Sequence, residues 1–153
     1  MKTVVTYGTF DLFHTGHVEM LRRAHSLGDR LIVGCSTDEF NATKGKKAIF
    51  KYEERAEILR SCRYVDQVFP EERWEQKVND IKEQNVDIFT IGDDWAGKFD
   101  FLTKETGCTV TYLPRTPNIS TTDVREVIQL LHREKLSSAI QNAEGLLRQL
   151  KEL

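Results

Sequence analysis

The chain has 153 residues, about one domain's worth and enough to bury a core without disulfide or metal staples. Lys and Arg total 22 against 24 Asp and Glu, a net charge of −2 with neutral histidines, which argues against a general nucleic-acid or membrane-surface binder. With 39% apolar and 30% charged residues the composition is that of a soluble globule, and no apolar run approaches the roughly 18–20 residues of a membrane span.

Met1-Lys2-Thr3-Val4-Val5 enters directly a strand pattern over Thr3–Tyr7, with no signal-peptide architecture. His17–Leu27 follows as a helix with Val18, Leu21 and Ala24 on one face and Gly28 as its stop. Leu31–Cys35 is a second strand and Tyr52–Ser61 a second helix. Val65–Phe69 is a third strand ended by Pro70, and Trp74–Gln84 a third helix. Asp87–Ile91 is a fourth strand, Phe99–Thr106 a short helix closed by Gly107, and Thr109–Leu113 a fifth strand ended by Pro114. Beyond Pro117, two sets of apolar residues at helical spacing are out of phase. The first is Val124, Val127, Ile128 and Leu131; the second runs from Leu136 to Leu150. Two helices with a break near Arg133–Lys135 are expected. The expected division is a catalytic domain over 1–131 with a helical extension over 132–153. Cys35, Cys62 and Cys108 are odd in number and widely spaced, so structural thiols in a reduced, cytoplasmic setting are expected.

Short buried strands separated by helices predict an α/β fold: a doubly wound five-stranded parallel sheet with C-terminal helices. Ligands of such sheets sit beyond the carboxyl ends of the strands. The loops to inspect are therefore 8–17, 36–51, 70–74, 92–98 and 114–122.

The first of these is the most informative. Gly8 ends the first strand and permits close approach of a ligand, and His14 and His17 bracket Gly16 at the mouth of a helix. A helix amino terminus favours bound phosphate, and two imidazoles there can stabilise charge growing on one phosphoryl group. Zinc is the competing use, but His25 and His132 have no ligand-like spacing to the pair; a purely structural pair is another. In the second loop Lys44-Gly45-Lys46-Lys47 is either a solvated charge run or a mobile clamp on a polyanion. Ser120-Thr121-Thr122-Asp123 reads as a capped helix start and, equally, as an anion site.

The run Gly8-Thr9-Phe10-Asp11-Leu12-Phe13-His14-Thr15-Gly16-His17 resembles the signature of the HxGH cytidylyltransferases, within the nucleotidyltransferase superfamily. Arg115-Thr116-Pro117-Asn118-Ile119-Ser120-Thr121-Thr122 is similar to the second signature of that superfamily. Ser36–Asn41, Arg63–Asp66, Trp74–Lys77 and Gly92–Leu102 resemble one branch, the glycerol-3-phosphate cytidylyltransferases, over roughly residues 2–128. Asn118 stands where glycine is usual; Asn tolerates positive φ better than most residues, so the turn is expected to persist.

The resemblance implies a Rossmann-like nucleotidyltransferase fold and transfer of CMP from CTP to sn-glycerol 3-phosphate, with Mg²⁺ accompanying the nucleotide. The acceptor phosphate would attack the α-phosphorus directly, releasing pyrophosphate. Another alcohol phosphate, such as phosphocholine or phosphoethanolamine, is the alternative acceptor, and a silent nucleotide-binding module the alternative class. It assigns catalysis to His14, His17, Lys44, Lys46 and Arg115. Nucleotide contacts fall to Gly8, Thr9, Phe10, Arg63, Gly92, Asp94, Thr116, Ile119, Ser120 and Thr121. Asp38, Arg55, Trp74 and Lys77 fall to the acceptor. From the residues themselves, Arg55 and Arg63 are equally able to pair with nearby carboxylates, Asp38 to orient an arginine, and Trp74 to be core. Asp11 either helps hold Mg²⁺ or positions a histidine. The resemblance further implies a cytoplasmic homodimer with the Arg63–Asp66 neighbourhood at its interface, serving teichoic-acid-like or capsular polymers, with no nucleic-acid or membrane partner.

Overall fold

The first strand, β1 (Thr3–Gly8), buries Val4 and Val5 completely, yet into different cores. Side chains alternate across a strand, so a strand with both sets buried must be covered on both faces. One core gathers Val5, Tyr7, Ile32, Phe89 and Leu102, the other Val4, Leu21, Leu31, Val33 and Leu59. The computed structural model describes residues 1–115 and 121–152, the side chains of Thr121 and Thr122 excepted.

β1 leads to α1 (Thr15–His25), β2 (Arg30–Ser36), α2 (Asp38–Thr43) and α3 (Tyr52–Ser61). Then come β3 (Gln67–Glu71), α4 (Gln76–Glu83), β4 (Ile88–Gly92), a 3₁₀ turn (Asp93–Trp95), α5 (Phe101–Thr106) and β5 (Thr109–Leu113). All strand pairs are parallel, in the order β3-β2-β1-β4-β5. The expected five-stranded doubly wound sheet is therefore the observed one. The chain works outward from β1 to β3, then returns to the other side of β1 for β4 and β5. The order reverses between β1 and β4, which opens a crevice beyond their carboxyl ends.

Three local readings change. β3 is displaced to Gln67–Glu71 and contains Pro70 rather than stopping at it. As the edge strand, β3 has one side of its backbone without a neighbouring strand, and there a missing N–H breaks no ladder. Asp66 belongs instead to the preceding turn, its carboxylate accepting from the Leu31 amide at 2.8 Å. Helix α2 has no counterpart in the sequence reading, because six residues are too few for a periodic pattern. It is set by Thr37, whose hydroxyl accepts from the Phe40 amide at 3.1 Å.

The third change is α6 (Thr121–Lys151), one continuous helix where two were expected. Arg133, Glu134 and Lys135 are good helix formers, so the backbone continues although the apolar stripe changes phase. Among its apolar side chains, Ile128, Leu131, Leu136, Ile140, Leu147 and Leu150 are exposed. Met1–Ile119 and Ser120–Leu153 form two compact units. No described helix is long and apolar enough to cross a membrane.

Candidate active site

At the carboxyl ends of the strands Gly8 lies opposite Cys35, Ser36 opposite Glu71 and Gly92 opposite Leu113. Beyond Gly8 the chain turns sharply, with Phe10 and Leu12 at φ of 54° and 51°. Bulky residues rarely adopt such angles, so the surrounding contacts must impose them. Both side chains are buried, and between them Asp11 is buried as well. Its two carboxylate oxygens accept from the Ile49 amide at 2.8 Å and the Phe50 amide at 3.0 Å. Asp11 thus ties the loop after β1 to the segment leading into α3. A side chain at Gly8 would lie 2.9 Å from the Phe10 ring, so the glycine is what lets Phe10 fold back.

This loop delivers two imidazoles to the start of α1. His14 is the N-cap: its Nδ1 accepts from the Gly16 amide at 3.0 Å. The His17 Nδ1 accepts in turn from the His14 amide at 3.2 Å. The two form a capping box built of imidazoles in place of the usual hydroxyl and carboxylate. Their rings stack with centroids 4.0 Å apart, flanked by Phe13 and Phe10. Because each Nδ1 is an acceptor, the proton of each neutral ring resides on Nε2. Burial, then the neighbouring His14, pushes the His17 pKa down to about 4, against an opposing pull from Asp11; burial alone lowers that of His14. Near neutral pH both rings are therefore uncharged donors.

This has a consequence for stability. The folded-state pKa of His17 lies below the ordinary histidine value, so the unfolded chain binds the extra proton more readily. The stability contribution is complete above the ordinary value of about 6.5 and is lost as pH falls toward 4, by up to ~3 kcal/mol. Urea unfolding of the wild type and His17→Asn from pH 7.5 to 4.5 is expected to show a steeper acid loss in the wild type.

Arg55 in α3 is completely buried. Its Nε donates to the Phe50 carbonyl at 2.9 Å, and its Nη1 to the carbonyls of Thr9 and Ser36 at 2.9 and 2.7 Å. Its Nη2 pairs with Asp38 at 2.8 Å. Burial works against the charged Asp38 carboxyl, but hydrogen bonds from the Tyr52 amide and Arg55 hold its pKa below the usual value. The Arg55 guanidinium, implied as an acceptor residue, here joins the loops after β1 and β2. Asp38 is the carboxylate that orients it, one of the readings open from the sequence. Thr9 is further fixed through its hydroxyl, which donates to Asn41 Oδ1 at 3.0 Å.

Lys44 and Lys46 follow α2, around Gly45 at φ 69°. Lys44 is half-buried, its ammonium 3.3 Å from the Ser36 hydroxyl and 4.2 Å from the Phe40 ring centre. Burial lowers its pKa, with the Glu71 charge opposing. Lys46 is exposed. Trp74, 41% exposed, stands edge-on to Phe40 at 5.2 Å, beyond the end of β3. Lys77, implied as an acceptor residue, is 2% exposed and bonded to Glu71 at 2.6 Å. Glu71, buried in a strand and absent from the sequence reading, also accepts from the Ser36 hydroxyl at 2.6 Å. An acid closing an edge strand six residues before a lysine was its only signal.

Gly92 closes β4 and Asp94 stands just beyond it, across the crevice; Asp94 is exposed, and its carboxylate occupies the space a side chain at Gly92 would need. Arg115 is exposed beyond the end of β5. Thr116, Ile119 and Ser120, and the side chain of Thr121, lie outside the described residues. Arg63 follows α3 and precedes β3, within one chain on the amino side of the sheet. There it stacks on Tyr64 at 5.4 Å. No cluster of three or more His, Cys, Asp or Glu suited to a metal ion occurs among the described residues.

The family model described as cytidylyltransferase-like matches residues 5–127. The chain is 59% identical over 128 residues to the glycerol-3-phosphate cytidylyltransferase of Bacillus subtilis strain 168, covering 84% of this chain and 98% of that protein. It is 54% identical over 126 residues to the enzyme of the same name from Staphylococcus aureus, covering 82% and 94%. Among solved structures, the lipopolysaccharide core biosynthesis protein of Thermoplasma volcanium superposes with a TM-score of 0.66 at 25% identity, over 78% of this chain and 99% of that one. The chain belongs to the cytidylyltransferase-like family and is a nucleotidyltransferase.

Proposed function

We propose that the protein transfers CMP from CTP to sn-glycerol 3-phosphate, yielding CDP-glycerol and pyrophosphate. The likeness at 59% identity over 98% of an enzyme of that name supports the substrates. The observation that carries the chemistry is the pair of neutral imidazoles capping α1 at the switch point of the sheet.

An oxygen of the acceptor phosphate attacks the α-phosphorus of CTP, and the bond from that phosphorus to the pyrophosphate oxygen breaks. The attacking oxygen is already anionic near neutrality, so no strong base is needed and catalysis consists of positioning and charge stabilisation. His14 and His17 donate from Nε2 to the phosphoryl oxygens as negative charge builds on them. Lys44 and Lys46 neutralise the departing pyrophosphate, Gly45 giving their loop the freedom to release it. Arg115 and the segment 116–121 hold the triphosphate, with Gly8, Thr9 and Phe10 shaping the approach to it; Gly92 and Asp94 bound the nucleoside side. Trp74 walls the acceptor side.

Mg²⁺ accompanies the triphosphate, where it neutralises phosphate charge. Asp11 does not fit as its ligand, since both carboxylate oxygens are committed to backbone amides. The cation would be held by nucleotide oxygens and water. The protein acts in the cytoplasm as a homodimer and supplies teichoic-acid-like or capsular polymer synthesis. Removing 136–153 is expected to weaken self-association in gel filtration with light scattering if α6 contributes to the dimer, with the imidazole site intact.

The decisive measurement is pyrophosphate release with CTP, ATP, GTP and UTP crossed against a panel of alcohol phosphates. CTP with glycerol 3-phosphate is expected to be the best pair by a wide margin. A preference for ATP would refute the nucleotide, and activity with CTP on every acceptor but glycerol 3-phosphate would refute the acceptor.

A further inference from the structure

Asn41 has no part in the chemistry above, yet it is held more completely than a polar residue in a six-residue helix needs to be. It is 1% exposed in α2, and its Nδ2 has no hydrogen-bond partner among the described residues. A buried donor left unpaired costs stability, and an apolar side chain of similar size would avoid that cost. The useful half of the amide is its acceptor. Asn41 Oδ1 accepts from the Thr9 hydroxyl at 3.0 Å, in the loop after β1.

The Asn41 backbone is engaged as well. Its carbonyl accepts from the amides of Lys44 at 3.0 Å and Lys46 at 2.9 Å, while the Gly45 amide donates to the Ala42 carbonyl at 3.1 Å. With Gly45 at φ 69° this is a Schellman cap, in which the chain leaves a helix through a left-handed glycine and folds back on the last turn. The lysine loop thus starts from a fixed point, and that point is the residue that holds Thr9. The other end of the loop is tied to the same neighbour through Asp11, which accepts from the amides of Ile49 and Phe50. The segment 44–50 is a strap fastened at both ends to the loop that presents the imidazoles.

We propose that Asn41 is a positioning residue for nucleotide binding: its side chain couples Thr9 to the lysine cap, so that the lysines and the loop after β1 close on the triphosphate as one body. Lys46, exposed on the strap, holds the phosphates well only while the strap is in register with Thr9. Asn41 is itself buried and acts through these two neighbours. This rests on the CTP-dependent reading above and specifies how two separate loops of that site are kept together.

The test is a double-mutant cycle of Thr9→Val and Lys46→Ala, run in the wild-type chain and again in Asn41→Leu, and read on the calorimetric Kd for CTP with Mg²⁺. Each single substitution is expected to weaken CTP binding by about three- to tenfold. In the wild-type chain the double variant is expected to fall short of the product of the two losses by at least about threefold, since a strap released from Thr9 no longer delivers Lys46. In Asn41→Leu, where the link is already cut, the two losses are expected to multiply. Asn41→Leu alone is expected to weaken CTP about fivefold, whereas Thr9→Ser, which keeps the hydroxyl, stays within about twofold of wild type. The urea midpoint of Asn41→Leu is expected to stay near that of the wild type, because the side chain it removes carries an unpaired donor. Asn41→Ala cuts the same bond and takes the place of Asn41→Leu if leucine does not fold. An equal shortfall in both backgrounds overturns the proposal, as does wild-type CTP affinity in Asn41→Leu. A wild type that binds no CTP would instead refute the underlying function.

Discussion

Replacing His17 with asparagine should lower turnover by about 10²–10³-fold while equilibrium binding of CTP changes little. The two effects separate because the imidazole has two jobs on two nitrogens. Nδ1 accepts from the His14 amide and helps close the start of α1. Asparagine offers its amide oxygen at nearly the same place, so the helix start and the anion-binding amides survive. What disappears is the Nε2 donor, whose interaction strengthens only as charge develops on the phosphoryl oxygens. Glutamine at 17 places a donor nearer the Nε2 position and should recover part of the loss. Single-turnover rates with saturating CTP and glycerol 3-phosphate, beside calorimetric CTP binding, distinguish the two nitrogens. Near-normal turnover in His17→Asn would remove the imidazole from the chemistry.

The largest loss of stability is expected at Arg55. Truncation to alanine strands the acceptors at Thr9, Ser36 and Phe50 together with the Asp38 carboxylate, and removal of one partner from a buried charged network costs about 3–5 kcal/mol. Lysine is not a conservative replacement, since a single ammonium cannot reproduce a fork that donates in several directions at once. Asp38→Asn should cost less, because the Asp38 side chain is partly open to water and the three carbonyl acceptors keep their donor. Urea unfolding midpoints of the three variants provide the ranking. An Arg55→Ala variant with the wild-type midpoint but a raised KM for glycerol 3-phosphate would assign Arg55 to the substrate.

These two residues mark the boundary between what could be read along the chain and what could not. The parallel sheet was legible because each strand is a short β-branched or apolar run, and only a sheet covered on both faces makes such runs buried throughout. The imidazole pair was legible because its elements are local: a glycine at the end of a strand, two histidines three residues apart, and a helix directly after them. The continuous α6 was misread because a change of apolar phase is not a helix breaker, and no breaking residue is present at Arg133–Lys135.

The roles of the charged residues away from that loop were decided by the tertiary structure. Arg55 finds its acceptors 5, 19 and 46 positions away in the chain, and their convergence depends on α3 starting beneath the ends of β1 and β2. Lys77 is drawn into an aromatic box by Tyr7, Trp74 and Phe99, each from a different segment. Arg63 is set between α3 and β3, where it stacks on Tyr64. Apolar patterning and a contiguous motif are properties of neighbouring residues, and they survive translation from sequence to structure. A long charged side chain has no such local determinant: its function follows from whichever partners the fold brings within about 3 Å, and whether water is excluded when they meet.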